Sequence, residues 1–359
     1  MNMNKIHSAL GPDTPVSGPT LWRGEELMTQ GGWDHRVSDD NVQEVEEAVS
    51  AIKSRGLAIS DITRNDFPLP GLGPLLARIR DEVVNGSGVS MLHGLPVDRW
   101  SREESAIAYW GIGTHVGQAV SQNSLGHVLG HVKDLGEDAA DVKTRGYRSH
   151  AALPYHSDLG AEMVVLLCLK ASKSGGLSSV VSGPAIHNEI LKNHPGLMAD
   201  LAKPFYLDRR GELLPGMKSY YPMPVFNYLN DRLYVCFVKP FVESAQRFEG
   251  VPPLTQRQQK ALEMVKELAA SAELRLDISF DPGDIQFVNN LTTLHARTEY
   301  QDFDDPAQKR HLLRLWLTTP NGLPLPKPFY DRYGVSKSST RPMGVNPQDG
   351  VLSAPLEAA

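Results

Sequence analysis

The sequence predicts a mostly β protein with helical decoration, built on a double-stranded β-helix (jelly roll) core. Three observations carry this prediction. From Ala119 onward, short β-type segments are separated by Gly- and Pro-rich turns. The run 163–169 (MVVLLCL) is apolar throughout, as a strand buried on both faces would be. Helical patterns, by contrast, are confined to the first third of the chain and to two insertions.

In chain order, residues 1–20 are rich in Pro, Gly and Ser and read as a flexible arm. Residues 21–117 form a helical N-terminal part expected to pack on the core. Within it, Asp39–Arg55 has an acidic start, apolar positions at helical spacing and Gly56 at its end. A second helix is expected over 72–84 and a strand over 88–92. A third helix, over 101–116, is opened by Ser101 with Glu103 and Glu104 in its first turn. Residues 118–325 are assigned to the jelly-roll core, interrupted by helical insertions at about 184–202 and 255–272. The tail, 326–359, carries no motif.

Composition excludes several classes. With 359 residues, 41% hydrophobic and 22% charged, the chain is an ordinary globular one of one or two domains. The net charge of −6 gives no footprint for nucleic acid. No stretch of 18 apolar residues marks a membrane span, and the N-terminus has no signal-peptide core. Cys168 and Cys236 are the only cysteines, too few for a disulfide scaffold. Cytoplasmic residence is the expectation, with no nucleic-acid or membrane partner, and a homo-oligomer is compatible with the sequence.

The chemistry lies in His156-Ser157-Asp158, His295, Arg310 and Arg314. Two imidazoles and one carboxylate can hold ferrous iron on one face and leave positions open. The i, i+2 spacing of His156 and Asp158 puts both on one face of a strand but on nearly opposite sides of a helix. Pro282-Gly283-Asp284 reads as a turn, 285–288 as a short strand and Asn289-Asn290 as a break before His295. Arg310 and Arg314, four apart, share a strand face. A guanidinium binds a carboxylate through a planar fork, so a dicarboxylate is a natural partner. A His–Asp hydrogen-bonded pair without metal, and a two-His, one-carboxylate zinc hydrolase, are the competing readings. The zinc reading leaves both arginines unexplained.

These residues, together with the turn Gly175-Gly176-Leu177-Ser178, resemble the TauD/TfdA-like family of Fe(II)- and 2-oxoglutarate-dependent oxygenases over roughly residues 85–320. The resemblance implies that His156, Asp158 and His295 ligate Fe(II). It implies that Arg310, with Ser178 where the family often has Thr, holds the distal carboxylate of 2-oxoglutarate. Arg314 matches an arginine that holds an anionic group of the substrate in some members and the co-substrate in others. Fifteen positions separate His295 from Arg310, a few more than in the taurine enzymes, with 302–306 the insertion. The implied activity uses O2 and decarboxylates 2-oxoglutarate to succinate and CO2 while hydroxylating a small molecule, anionic if Arg314 is free to meet it. Desaturation or cyclisation would use the same residues, and a non-catalytic 2-oxoglutarate-binding protein is a further alternative. Because Asp158 is present, the resemblance implies oxygenation and not halogenation.

Other features read as structural. His127 and His131 lack the glutamate of a zinc helix and sit among glycines. Trp316 in the RLWL run reads as core, and Cys168 as a small buried hydrophobe. Gln122, Asn123 and Tyr155, with Arg145 and Tyr147, flank the HxD segment and are candidates for lining the substrate pocket.

Overall fold

The computed structural model describes residues 9–137, 145–213, 215–333 and 341–358. Along the chain, its two main sheets are built from β1 (Asp34–Arg36), β2 (Val89–His93), β3 (Gln118–Ala119), β4 (Leu129–Val132), β5 (Leu153–His156), β6 (Met163–Lys170), β7 (Ser178–Ser182), β8 (Arg275–Ile278), β9 (Ile285–Asn289), β10 (Thr293–Arg297) and β11 (His311–Thr318). The larger sheet runs β1-β2-β9-β6-β11-β3, with β4 also paired to β11, and the smaller runs β8-β7-β10-β5. Helices hold more of the described residues than strands do, but strands form the centre.

β6 explains its own composition. Met163, Val165 and Leu167 point to one face and join the apolar layer formed with the helices Asp39–Arg55, Gly73–Asn85 and Arg102–Val116. Val164 and Cys168 point the other way, into the space between the sheets. A strand covered on both faces loses the polar alternation of a half-exposed one, hence the unbroken MVVLLCL. β11 follows the same rule: Leu313, Leu315 and Leu317 face the helices, while Leu312 and Trp316 face inward. Arg314 is paired with Leu166 of β6, and Leu166 with Gln286 of β9, forming one row across the sheet.

The predicted helices are present with small changes. Ser38 and Ser101 cap Asp39–Arg55 and Arg102–Val116 through capping boxes, and Thr255 caps Gln256–Ala269 in the same way. The expected helix over 184–202 is broken: Gly183–Asn193 ends at His194, and a 3-10 turn and the short helix Met198–Leu201 follow. Pro195 causes the break, because it removes a backbone donor and disfavours helical geometry before it. Residues 1–8 of the arm lie outside the described residues. Farther along, Val16 is buried and its N–H and C=O both bond the Asn188 side chain, so this part of the arm is fastened to the body. The tail contributes the helix Lys327–Tyr333 and the buried Phe329, Met343 and Val345. No helix among the described residues is long and apolar enough to cross a membrane.

Candidate metal centre

His156, Asp158 and His295 come together between the two sheets, with one ligand atom from each lying within 4.8 Å of the others. His156 is the last residue of β5 and sits opposite His295 of β10, their ring centroids 4.3 Å apart. Asp158 is not in a strand. It lies in the turn after β5, so strand alternation alone does not place it. Asn290 does: its Oδ1 accepts from Asp158 N (2.7 Å), and its Nδ2 donates to the carbonyls of Asp158 and Ala161 (2.5 and 2.8 Å). Ser157 adds a second tie, with its N–H to Phe237 O (2.8 Å) and its Oγ accepting from Phe237 N (3.2 Å). The Asn289-Asn290 break thus fixes the second member of the HxD motif.

Hydrogen bonds orient two of the three side chains. His156 Nδ1 donates to Pro154 O (2.8 Å), which turns Nε2 toward the site, 3.6 Å from Asp158 Oδ1. The other oxygen of the carboxylate, Oδ2, accepts from Trp316 Nε1 (2.7 Å) and Arg314 Nη1 (3.3 Å). Burial opposes ionisation of Asp158, but the Arg314 cation and the two neighbouring imidazoles hold its carboxyl well below the usual range. Burial, reinforced by His156, pulls His295 down to about 3, so its imidazole is neutral and available as a ligand. An ionised carboxylate and an unprotonated ring nitrogen are what a divalent cation requires.

The same cavity is lined by Ser178, Arg297, Arg310 and Arg314. Arg314 points inward from the middle of β11, in the larger sheet, and Arg310 from the residue just before that strand, whereas His295 faces them from the smaller sheet. Arg310 is only 4% exposed, and its Nη1 has no partner. Its guanidinium stacks on Tyr300 (5.0 Å), whose ring also carries Arg297 (4.8 Å). A buried cation with an unmet donor is costly in isolation. A carboxylate placed there would complete its hydrogen bonding, so the donor set fits a dicarboxylate co-substrate. The Gly175-Gly176 turn closes on this end: both glycines have positive φ, and a Cβ on Gly176 would lie 3.2 Å from Arg310 Nε. Ser178 Oγ donates to Gln286 Oε1 (2.8 Å), and the buried Gln286 Nε2 has no partner. Gln286 has no motif around it, and only its inward position on β9 brings it to notice.

The remaining candidates are placed differently. Gln122 is buried, with Oε1 accepting from Arg314 Nε (2.9 Å) and Nε2 donating to Arg314 O and Val128 O. It therefore holds Arg314 in place. The Asn123 Oδ1 closes its own turn by accepting from Leu125 N and His127 N. Tyr155 alternates away from His156; burial pushes its hydroxyl up to about 12, and it does not line the cavity. Tyr147 does line it, stacked on Arg314 at 4.6 Å. Arg145 pairs with Glu212 (2.8 Å). His131 bonds His311 and the carbonyl of Pro355 and is remote from the triad in its contacts. Trp316 is buried as expected, but its indole N–H reaches the Asp158 carboxylate.

Residues 53–316 match the family described as Taurine catabolism dioxygenase TauD, TfdA family. The chain is 31% identical over 332 residues to FR-33289 synthase of Streptomyces rubellomurinus, covering 91% of this chain and 97% of that one. It is 30% identical over 319 residues to the taurine hydroxylase-like protein SAT17 of Stachybotrys chartarum, covering 86% and 81%. Among solved structures, asparagine oxygenase in complex with Fe(II), 2S,3S-3-hydroxyasparagine and succinate superposes with a TM-score of 0.62 at 17% identity, over 80% of this chain and 94% of that one. The non-heme iron oxygenase OrfP in complex with Fe and alpha-ketoglutaric acid gives 0.61 at 14% identity, with the same coverage. At those identities the structures establish the shared fold.

Proposed function

We propose a division of labour among these residues that proceeds from one fact: the chain belongs to the taurine catabolism dioxygenase TauD, TfdA family. It is an Fe(II)- and 2-oxoglutarate-dependent dioxygenase that couples decarboxylation of 2-oxoglutarate, to succinate and CO2, with hydroxylation of a small molecule. Bound Fe(II) would supply the redox chemistry, with O2 as the oxidant and 2-oxoglutarate and the substrate each giving two of the four electrons that reduce it.

In our reading, His156 Nε2, Asp158 Oδ1 and the His295 imidazole hold the iron. Arg310 receives the distal carboxylate of 2-oxoglutarate, and the Ser178 hydroxyl supports it. Tyr300 and the glycine turn keep Arg310 aimed and dry. Arg314 keeps Asp158 ionised, and Gln122 keeps Arg314 aimed. The observation that carries this reading is the meeting, in one cavity, of three ligand atoms within 4.8 Å and a buried guanidinium with an unmet donor.

We further propose an anionic group on the substrate. The lining holds three guanidiniums, Arg297, Arg310 and Arg314, against one carboxylate, Asp158. The charges of a divalent cation and a dianionic co-substrate cancel, so the cavity keeps an excess of positive charge. Tyr147, stacked on Arg314, lies where it would cover that group. A cytoplasmic location suits an enzyme that needs reduced iron and carries two buried free thiols.

The test is anaerobic. Fe(II) and 2-oxoglutarate added to the metal-free protein should give the weak visible charge-transfer band of a chelated keto acid. His156→Ala, Asp158→Ala and His295→Ala should each abolish it and stop iron-dependent turnover. Folded protein that gives no band, but turns over a substrate without O2 or 2-oxoglutarate, would be a zinc hydrolase instead. For the substrate, Arg314→Ala should raise KM for the substrate; an unchanged KM removes the anionic-substrate reading.

A further inference from the structure

We propose that Trp316 is a positioning residue for the metal carboxylate: its indole N–H holds Asp158 Oδ2 and thereby presents Oδ1 alone to the cation. This rests on the reading of His156, Asp158 and His295 as the metal ligands.

Four observations carry it. The Trp316 Nε1 to Asp158 Oδ2 distance is 2.7 Å, against 3.3 Å for Arg314 Nη1 to the same oxygen, so the indole is the closer donor. The ring is immobilised by what surrounds it. Arg314 lies over it at 5.1 Å, and the side chain is 7% exposed. The chain has also made room for it: a Cβ on Gly160 would lie 2.4 Å from Trp316 Cζ3, so a side chain two residues after Asp158 would strike the ring. Gly160 has no positive φ that would call for glycine, which leaves the space for the indole as the reason for it. Finally, Trp316 shares the inward face of β11 with Arg314, and Arg310 immediately precedes that strand, so one continuous segment delivers all three groups to the site.

The choice of donor has a physical logic. Arg314 already places one positive charge beside Asp158, and a second cation there would oppose a divalent metal. An indole N–H is a strong, neutral donor on a rigid plane, so it orients the carboxylate without adding charge. Carboxylates bind metals through one oxygen or two. With Oδ2 engaged by the indole, the second mode is disfavoured, and a coordination position stays open for the co-substrate. Outer hydrogen bonds of this kind typically change metal affinity by about ten- to a hundredfold when removed.

The test uses Co(II), which binds the same donor types without reacting with O2, and then anaerobic Fe(II) with 2-oxoglutarate. Trp316→Phe keeps an aromatic ring and loses the donor. Incorporation of 3-benzothienylalanine at 316 keeps the bicyclic shape as well, with sulfur where the N–H was, and serves if the Phe variant folds poorly. We expect either replacement to weaken Co(II) about tenfold or more, to alter its visible absorption, and to raise the 2-oxoglutarate concentration needed to develop the Fe(II) charge-transfer band. The metal-free protein should keep its circular dichroism. Wild-type affinity and spectra in the benzothienylalanine protein would overturn the proposal. A purely packing role would lower the melting temperature of the metal-free Phe variant and leave both spectra unchanged. If the wild-type protein itself binds no Co(II), the ligand assignment fails and the proposal falls with it, whereas wild-type binding with unchanged variants overturns the role of the indole alone.

Discussion

At the scale of single residues, the site is a set of buried polar groups whose partners are incomplete. Arg310 is one such case, because a guanidinium buried to this degree normally has its donors met. Loss of a charge-assisted pair costs about 1.5–3 kcal/mol. Arg310→Gln should therefore raise the Kd for 2-oxoglutarate by about ten- to a hundredfold, read from the anaerobic charge-transfer titration, while Co(II) affinity without co-substrate changes little. Equal loss of both would mean that Arg310 supports the metal centre and not the co-substrate. The sequence exposed Arg310 and Arg314 because their spacing fits a strand face. It did not expose Gln286 or the hydrogen bond of Trp316, because a lone Gln or an aromatic in an apolar run looks the same whether or not its polar atom meets a ligand.

At the scale of elements, the HxD turn is held from outside itself. Asn290, in the connection between β9 and β10, meets both backbone polar groups of Asp158 and the carbonyl of Ala161. Removing it leaves one buried and two partly buried groups unpaired, at about 1–3 kcal/mol each where water cannot replace the bond. Asn290→Ala should thus lower stability by about 3 kcal/mol or more in urea unfolding, and a protein that still folds should bind Co(II) more weakly. A loss below 1 kcal/mol would show that the turn holds itself. The turn before β9 is built on Gly283, with φ +91 and a Cβ position only 1.9 Å from Leu95 O, and on Asp284, which bonds His93 Nδ1 (2.7 Å). Pro282-Gly283-Asp284 was legible as a turn from its residue types. The partners that make its glycine and aspartate necessary are about 190 positions away and were not.

At the scale of the whole molecule, the same burial that shapes the site sets its response to acid. Burial, reinforced by neighbouring cations, takes His295 and His311 down to about 3, and burial also lowers His131. These rings stay neutral in the fold, while in the unfolded chain they take up protons below the ordinary value near 6.5. The unfolded state therefore binds more protons, and stability falls as pH drops from about 6.5 toward 3. The metal-free protein should melt at a lower temperature at pH 5.5 than at pH 7.5; a flat profile would mean that these rings gain protons without unfolding. A ligand that binds only the fold adds stability by mass action, about 2.7 kcal/mol at a hundred times its Kd. Co(II) at that concentration should raise the melting temperature by several degrees, and EDTA should reverse it.

The sequence by itself determined the class of the protein and the residue types of its centre. Strand-like alternation, capping boxes and turn residues are local, and His156, Asp158, His295, Arg310 and Arg314 are recognisable because their chemistry needs those side chains at those spacings. Only the tertiary structure decided what each of them touches. The two sheets bring β5 against β10 and β11 against β6, and that pairing turns separate motifs into one cavity. It sends Tyr155 away, gives Gln122 to Arg314, and gives the Trp316 N–H to Asp158. The reason is that a side chain's direction follows from its own strand, whereas its partner is set by another strand's register, which no short stretch of sequence contains.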